Sequence, residues 1–215
     1  MKRRQFSALA AGAAVGMGLP RIAAAQDGTP VTAADYRKVG TPLPVAAPAG
    51  TVDVVEFFSY ACPHCFELEP TLEAWLQRKP PEIRFRRSPV PFMFNHENFQ
   101  RLYFALDALG QADAMQKKVF DAVHVEHQRL DKPDDITAFV AKSGIDARKF
   151  MAAFGAFGTG VKASQASALY GSSGADGVPT LMVQGRFLTS PAIARGEHKA
   201  LATVEWLAAQ VRAGH

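Results

Sequence analysis

Residues 51–65 read Thr-Val-Asp-Val-Val-Glu-Phe-Phe-Ser-Tyr-Ala-Cys-Pro-His-Cys. The first nine are mostly β-branched or aromatic, which predicts a buried central strand that ends shortly before Cys62. From Pro63 onward, apolar side chains recur at helical spacing until two prolines at positions 80 and 81. Pro63 suits the first turn of a helix because that turn needs no amide hydrogen. The stretch therefore predicts a strand that passes directly into a helix, with two cysteines at the junction.

The rest of the chain alternates between β-prone and helical patterns. Residues 83–90 predict a second strand, and residues 97–170 predict a series of helices. Residues 180–189 predict two short strands joined as a hairpin across Gln184 and Gly185, before a final amphipathic helix. This order predicts an α/β fold in which one sheet is interrupted by a helical insertion.

These patterns divide the chain into segments. We expect the sheet-forming domain to comprise residues 51–95 and 171–215, and the inserted helical domain to comprise residues 96–170. Residues 26–50 are rich in proline and alanine, and they predict an extended lead-in that contains at most one short edge strand.

The N-terminal 25 residues have the pattern of a signal peptide. Basic residues 2–4 precede an apolar run over residues 8–19 that is too short to span a bilayer, and three alanines close the segment. We expect cleavage after Ala25 and export to the cell envelope. Arg3 and Arg4 resemble a twin-arginine export signal, with ordinary secretion as the alternative because its leaders are also basic.

The formal net charge of +4 comes from this N-terminal segment. The segment holds four of the 24 Lys and Arg residues and none of the 20 Asp and Glu residues, so the remainder is formally neutral. A nucleic-acid-binding protein is expected to keep a basic face after processing, and the sequence contains no basic stripe or cluster of that kind. The composition therefore predicts no nucleic-acid partner.

Cys62 and Cys65 are the only cysteines in the chain, so they cannot form the multi-bridge framework of small exported domains. At a strand-to-helix junction, the first sulfur of such a pair lies beside the unpaired amides of the helix N-terminus, which favour negative charge. We therefore predict that Cys62 ionises readily and exchanges disulfides with other proteins. Cys65, one turn further on, is predicted to be more buried and to resolve the exchange.

Pro63 and His64 separate the two cysteines and are predicted to set their redox behaviour. A histidine beside the sulfur stabilises the thiolate by charge or by a hydrogen bond, and a more stable thiolate makes the disulfide a stronger oxidant. The alternative for His64 is an ordinary solvent-facing helix residue. The alternatives for the cysteines are an inert short-range bridge and a zinc site, which His96, His124 and His127 support poorly because they lack the customary ligand spacing.

Two segments resemble the DsbA family of periplasmic thiol-disulfide oxidoreductases. One is Glu56-Phe-Phe-Ser-Tyr-Ala-Cys62-Pro-His-Cys65, and the other is Gly177-Val-Pro-Thr180 at the start of a strand. The likeness extends more loosely over residues 40–212. It implies a thioredoxin-like α/β fold with an inserted helical sub-domain, in which residues 51–95 and 171–215 form the thioredoxin-like domain.

The resemblance also implies roles for residues outside the cysteine pair. The Val178–Pro179 peptide is expected to be cis and to face the cysteines, which leaves the backbone near Val178 free to bind an extended substrate segment. Glu56 is expected to be a buried carboxylate in a charged pair, with Arg87 as its best candidate partner. Where the family usually has a lysine, this sequence offers both Arg86 and Arg87, and a purely structural ion pair is the alternative role.

These features predict a disulfide oxidase that passes the Cys62–Cys65 disulfide to unfolded or folding exported proteins with free cysteines. The resemblance implies reoxidation by a DsbB-like membrane protein that passes electrons to quinone. We expect a monomer without metal or organic cofactor, and an apolar surface around Cys62, His64 and Val178 that accepts unfolded chains. The alternatives are a disulfide isomerase or reductase on the same fold, and a chaperone that holds unfolded segments without using its cysteines.

Overall fold

The computed structural model describes residues 30–45, 47–93 and 96–214. The elements in chain order are β1 (Arg37–Lys38), β2 (Val52–Phe58), α1 (Pro63–Leu76), β3 (Ile83–Pro89), α2 (His96–Ala108), α3 (Ala112–His124), α4 (Pro133–Lys142), α5 (Ala147–Gly155), α6 (Phe157–Ser173), β4 (Thr180–Val183), β5 (Phe187–Thr189), α7 (Pro191–Ala194) and α8 (Glu197–Arg212). The strands form one sheet in the order β1-β5-β4-β2-β3. No helix in the described ranges is long and apolar enough to cross a membrane. The predicted signal peptide over residues 1–25, with its cleavage after Ala25, lies outside the described residues.

Strand β2 lies inside the sheet and is buried along its whole length. It pairs in parallel with β3 and antiparallel with β4, so both of its edges are hydrogen-bonded. β-Branched and aromatic side chains suit such a strand because they pack well on a pleated surface that is covered on both faces. The prediction of a buried central strand is confirmed, and its end at Phe58 leads the chain to the cysteine pair.

Helix α1 begins at Pro63 and continues through an internal proline, Pro70. Pro70 has no amide hydrogen, so the helix lacks one backbone hydrogen bond at this point. Burial offsets this loss, since Leu68, Leu72 and Trp75 are fully buried in the core that α1 shares with the sheet. The apolar stripe that predicts this helix is the face that packs on the sheet.

Helices α2 to α6 lie between β3 and β4 in the chain. Helices α5 and α6 are separated by a break, because α5 ends at Gly155 and Ala156 has an extended backbone before α6 begins. The helical series expected over residues 97–170 continues further, since α6 ends at Ser173. Gly174 then takes the left-handed conformation (φ 74°) that commonly closes a helix. The helical segment therefore extends beyond its expected boundary.

The hairpin predicted across Gln184 and Gly185 is present between β4 and β5. Both residues have positive φ (51° and 62°), and the amide of Arg186 donates to the carbonyl of Val183 at 3.0 Å. Glycine suits position 185 for a second reason, because a Cβ there would lie 2.4 Å from the carbonyl oxygen of Leu43. The lead-in contains the short edge strand β1, which pairs antiparallel with β5 and attaches the lead-in to the sheet.

A cluster of aromatic side chains joins the end of β2 to the helical segment. Phe58 and Tyr60 pack edge-to-face with ring centroids 5.1 Å apart, and Phe120 of α3 lies 5.1 Å from Tyr60. Tyr103 of α2 packs edge-to-face on Phe58 at 5.4 Å. Each such pair stabilises the fold by about 1 kcal/mol beyond the apolar area that it buries. The segment before Cys62 is therefore packed against α2 and α3 as well as against the sheet.

Candidate active site

Cys62 lies at the junction between β2 and α1. A tight turn begins at Ser59, whose carbonyl accepts a hydrogen bond from the amide of Cys62 at 3.0 Å. Cys62 has an extended backbone, and its own carbonyl accepts hydrogen bonds from the amides of Cys65 and Phe66 at 3.1 and 3.2 Å. It is thus the capping residue of α1, and its sulfur lies at the end of the helix where amides are unpaired.

The two cysteines are free thiols with opposite electrostatic environments. A hydrogen bond from the Cys65 thiol, assisted by the amides of Cys65 and His64, lowers the pKa of Cys62 to about 6 although burial opposes the shift. Cys65 is fully buried, and burial together with the bond to Cys62 raises its pKa well above the ordinary thiol range. At neutral pH Cys62 is therefore mainly a thiolate, while Cys65 keeps its proton.

His64 lies on the exposed side of α1, with 78% of its side chain accessible. Its Nδ1 lies 2.8 Å from Oε2 of Glu67, and this hydrogen bond raises the pKa of His64 because the carboxylate favours the imidazolium. The charge of His64 in turn favours the Cys62 thiolate, although the Cys65 thiol has the larger effect. Pro63 occupies the first position of the helix. His64 is thus both solvent-facing and electrostatically linked to Cys62.

The Val178–Pro179 peptide bond is cis, as the resemblance implies. The carbonyl oxygen of Val178 lies 3.4 Å from the Sγ of Cys62, and it accepts a hydrogen bond from the thiol when Cys62 is protonated. Pro179 directly precedes β4. The fold therefore brings together a reactive sulfur and a backbone carbonyl that are 116 positions apart in the sequence.

An open groove lies between α1 and the segment that carries Val178. Val178, Pro179 and Ile193 supply an apolar part of its lining. Charged side chains form much of the rest, so the lining is mixed, and the expectation of an apolar surface around Cys62, His64 and Val178 stays a prediction. These charges are tolerated beside apolar groups because several are paired with one another. The charged lining residues are Arg37 and Asp176, which form a bidentate ion pair at 2.8 and 3.1 Å, and His64, Glu67 and Glu197.

Arg87 is buried at the centre of a cluster of carboxylates. Glu56 of β2 lies directly opposite Arg87 of β3, so their side chains share one face of the sheet. The Nε of Arg87 lies 3.3 Å from Oε2 of Glu56, whereas Arg86 points to the other face and pairs with Asp53. Arg87 is therefore the residue in contact with Glu56. Its other nitrogens contact Glu69 at 3.1 Å, Glu73 at 2.6 Å and Asp113 at 3.7 Å.

Glu56 is fully buried, and burial raises its pKa to about 8, with repulsion from Glu69 adding to the shift and Arg87 opposing it. Neither of its carboxyl oxygens has a hydrogen-bond partner within the described part of the chain. The Arg87 guanidinium stays charged, and Glu69 and Glu73 also hold it. Glu56 is therefore mainly protonated at neutral pH and is the proton-holding member of the cluster.

Comparisons with known proteins agree with this geometry. A DSBA-like thioredoxin domain matches residues 53–194, a range that includes both cysteines and Pro179. The thiol:disulfide interchange protein DsbA of Burkholderia cepacia is 36% identical over 191 residues, which cover 89% of this chain and 90% of that relative. The chain belongs to the DsbA family.

Solved DsbA structures share the fold. The crystal structure of Pseudomonas aeruginosa DsbA matches with a TM-score of 0.79 at 30% identity, covering 84% of this chain and 93% of that one. DsbA from Xylella fastidiosa matches with a TM-score of 0.78 at 30% identity, covering 86% and 98% of the two chains. The chain therefore has the thioredoxin-like α/β fold of DsbA and is a thiol-disulfide oxidoreductase.

Several residues of the DsbA site were missed by sequence reasoning. Glu69 lies one helical turn after Cys65 on the same face of α1, and this spacing is a signal by which it is detectable. Gln116 and His124 lie on α3, and no local pattern links them to the cysteines. Across residues 30–45, 47–93 and 96–214, no group of three or more His, Cys, Asp or Glu side chains is arranged to hold a metal ion.

Two substitutions of Cys65 test how much its hydrogen bond contributes to the lowered pKa of Cys62. Cys65→Ala removes the donor and should raise the pKa of Cys62 by roughly one to two units, since only the amides and the charge of His64 then favour the thiolate. Cys65→Ser keeps a donor at the same position and should leave the pKa nearer to about 6. Thiolate absorbance of each reduced protein, titrated against pH, gives the midpoints. Equal midpoints for the two variants would contradict the assigned hydrogen bond.

Proposed function

We propose that this DsbA-family protein donates its Cys62–Cys65 disulfide to exported proteins during their oxidative folding in the periplasm. The observation that carries the proposal is the contrast between the thiols, because the pKa of Cys62 is lowered to about 6 while that of Cys65 is raised. A stable Cys62 thiolate favours the reduced form of the protein. The disulfide is then a strong oxidant that substrates reduce readily.

The proposed reaction consists of two thiol-disulfide exchanges. A substrate thiolate attacks the Sγ of Cys62, and the bond to Cys65 breaks with its electron pair on the Sγ of Cys65, which takes up a proton. A second substrate thiolate then attacks the substrate sulfur of this mixed disulfide and releases Cys62 as a thiolate. The substrate loses two electrons and gains a disulfide, and the protein is left as the dithiol.

Glu56 is the proposed source of the proton that Cys65 takes up. Because the pKa of Cys65 is raised well above neutrality, its thiolate is unstable until it is protonated. Glu56 is close enough for its charge to raise the pKa of Cys65, and its own pKa of about 8 keeps it protonated at neutral pH. An acid whose pKa lies near the working pH is well suited to proton transfer. Arg87 balances the carboxylate that remains.

The backbone at Val178 and the adjacent groove are the proposed binding site for the substrate segment. Main-chain hydrogen bonds to an extended segment give affinity without reading side chains, which suits a protein that acts on many sequences. The Val178 carbonyl is 3.4 Å from the Sγ of Cys62, so a segment bonded to this backbone has its cysteine near the reactive sulfur. Pro179 and Ile193 offer apolar contacts beside it.

The electrons taken from substrates must leave the protein. A DsbB-like membrane protein is the proposed acceptor, and it passes the electrons to quinone, so the cysteine pair serves as the redox group without metal or organic cofactor. The basic and apolar segment over residues 1–25 supports export with cleavage after Ala25, by the twin-arginine or the general secretory route. The mature protein is proposed to act as a monomer.

The roles of the two cysteines are tested by trapping. Cys65→Ser leaves Cys62 reactive but removes the thiol that otherwise releases a stalled mixed disulfide, so this variant should accumulate disulfide-linked adducts with exported proteins. Cys62→Ser should accumulate none. Electrophoresis with and without reductant reveals the adducts. Equal trapping by both variants would show that the roles are assigned wrongly, and activity retained by the double variant would favour a chaperone that does not use its cysteines.

Glu56→Gln removes the transferable proton while keeping the size and polarity of the side chain. Attack of a model peptide thiolate on the oxidised protein should slow by about tenfold or more at neutral pH. Because an acid with a pKa of about 8 is protonated below that pH, the difference from wild type should shrink as pH rises through 8.

Asp53→Asn is the matched control for this experiment. Asp53 lies on the same strand, but its carboxylate pairs with Arg86 rather than with Arg87, so the variant should react at the wild-type rate. The rates are measured by stopped-flow kinetics. If Glu56→Gln reacts at the wild-type rate across the pH range, Glu56 is not the proton donor to Cys65.

A further inference from the structure

Tyr60 forms a corner of the turn that connects β2 to Cys62. The turn is closed by the hydrogen bond from the amide of Cys62 to the carbonyl of Ser59. The Tyr60 side chain is fully buried and packs against aromatic rings of α2 and α3. Because only one residue separates Tyr60 from Cys62, a displacement of Tyr60 also displaces the reactive sulfur.

Helix α3 holds Tyr60 at both ends. The phenol hydroxyl donates to Oε1 of Gln116 at 2.8 Å, and Nε2 of His124 lies 2.8 Å from the carbonyl oxygen of Tyr60. A carbonyl only accepts hydrogen bonds, so His124 is the donor through Nε2. Gln116 and His124 are about two helical turns apart, which places them on one face of α3.

A second contact fixes each of these side chains. Nε2 of Gln116 donates to Oε1 of Glu69 at 2.9 Å, so both ends of the amide are engaged and its orientation is set. The ring of His124 stacks on Phe66 of α1, with centroids 5.1 Å apart and planes 15° from parallel. Both side chains therefore connect Tyr60 to the helix that carries the cysteines.

We propose that His124 and Gln116 are positioning residues that hold Tyr60 and thereby set where the Sγ of Cys62 lies relative to Val178. Disulfide exchange depends on this placement, because an incoming thiolate must meet the sulfur in a defined orientation, and small displacements of reacting atoms lower rates. The two residues act through Tyr60 rather than on a sulfur. The proposal rests on the proposed function only in treating Cys62 as the attacked sulfur, and it applies to exchange in either direction.

Two substitutions of His124 separate its hydrogen bond from its packing. His124→Phe keeps an aromatic ring against Phe66 but removes the donor to the Tyr60 carbonyl. His124→Gln removes the ring but keeps an amide donor with a similar reach. If the hydrogen bond positions the turn, the glutamine variant should retain function that the phenylalanine variant loses.

Substitution of Gln116 tests the other end of Tyr60. Gln116→Leu removes the acceptor for the phenol hydroxyl. Gln100→Leu is the matched control, because Gln100 is equally buried (2% exposed for each residue) but makes its hydrogen bonds to β3 and α6. If the substitutions only weaken the packing of the helical segment, both leucine variants should react more slowly to the same extent. If Gln116 positions Tyr60, only Gln116→Leu should react more slowly.

The measurements are the rate constant for attack of a model peptide thiol on each oxidised protein and the Cys62 thiolate titration of each reduced protein. We expect His124→Phe and Gln116→Leu to react about three- to tenfold more slowly, the range set by loss of one hydrogen bond, and to shift the titration midpoint. His124→Gln and Gln100→Leu should stay within about twofold of wild type.

The proposal is overturned if His124→Phe and Gln116→Leu are folded and show the wild-type rate constant and titration midpoint. It is also overturned if Gln100→Leu reacts as slowly as Gln116→Leu. Circular dichroism confirms folding, and the two His124 variants decide the matter if Gln116→Leu does not fold. Slow oxidation of the peptide by the wild-type protein itself would count against the proposed function. The ratio of each variant to wild type tests the positioning alone.

Discussion

Hydrogen-bond donors converge on the Sγ of Cys62 at the N-terminal end of α1, and the most effective of them is the Cys65 thiol. A fall in pKa from the ordinary thiol range to about 6 stabilises the reduced protein by about 4 kcal/mol where the thiolate is populated. Because the folded pKa lies below the unfolded one, this stabilisation is complete above the unfolded pKa and disappears as pH falls through about 6. In a two-electron couple the complete stabilisation, reached above the unfolded pKa, corresponds to roughly 90 mV of added oxidising power.

Cys65 is fully buried, and burial raises its pKa, so its sulfur needs a proton from a nearby group when the disulfide opens. We propose that the Arg87 cluster meets that need, since it combines one guanidinium with several carboxylates and leaves Glu56 as a protonated member. Arginine suits the centre of the cluster because its planar fork contacts several carboxylates at once and its charge is permanent. Proton transfer is the function that we propose for the cluster in addition to pairing charges, because a buried ion pair is by itself weak evidence of stability.

Local chemistry made part of this structure predictable. The β-branched run of β2, Pro63 at the first helical position and the turn at Gln184 and Gly185 each depend on neighbouring residues. The predicted end of α6 was too early because glycine and serine over residues 171–173 are typical of loops, whereas the fold continues the helix to Ser173. Composition alone does not show where tertiary packing extends a helix.

Local patterns did not predict long-range contacts, although the resemblance gave Arg87 as the best candidate partner of Glu56 and placed Val178 near the cysteines. The choice of Arg87 over Arg86 depends on the register of β2 against β3, which brings two distant segments together. The contacts of Tyr60 with Gln116 and His124 span 56 and 64 positions, and neither α3 residue has an unusual local setting in the sequence. Such contacts arise only when the helical segment packs on the end of the sheet.

The reduction potential of the Cys62–Cys65 couple at neutral pH, determined by equilibration with glutathione, tests the central claim most directly. If stabilisation of the Cys62 thiolate makes the disulfide oxidising, the potential should lie above about −180 mV. A potential near about −270 mV, in the range of reducing thioredoxins, would contradict the account and identify the protein as a reductase.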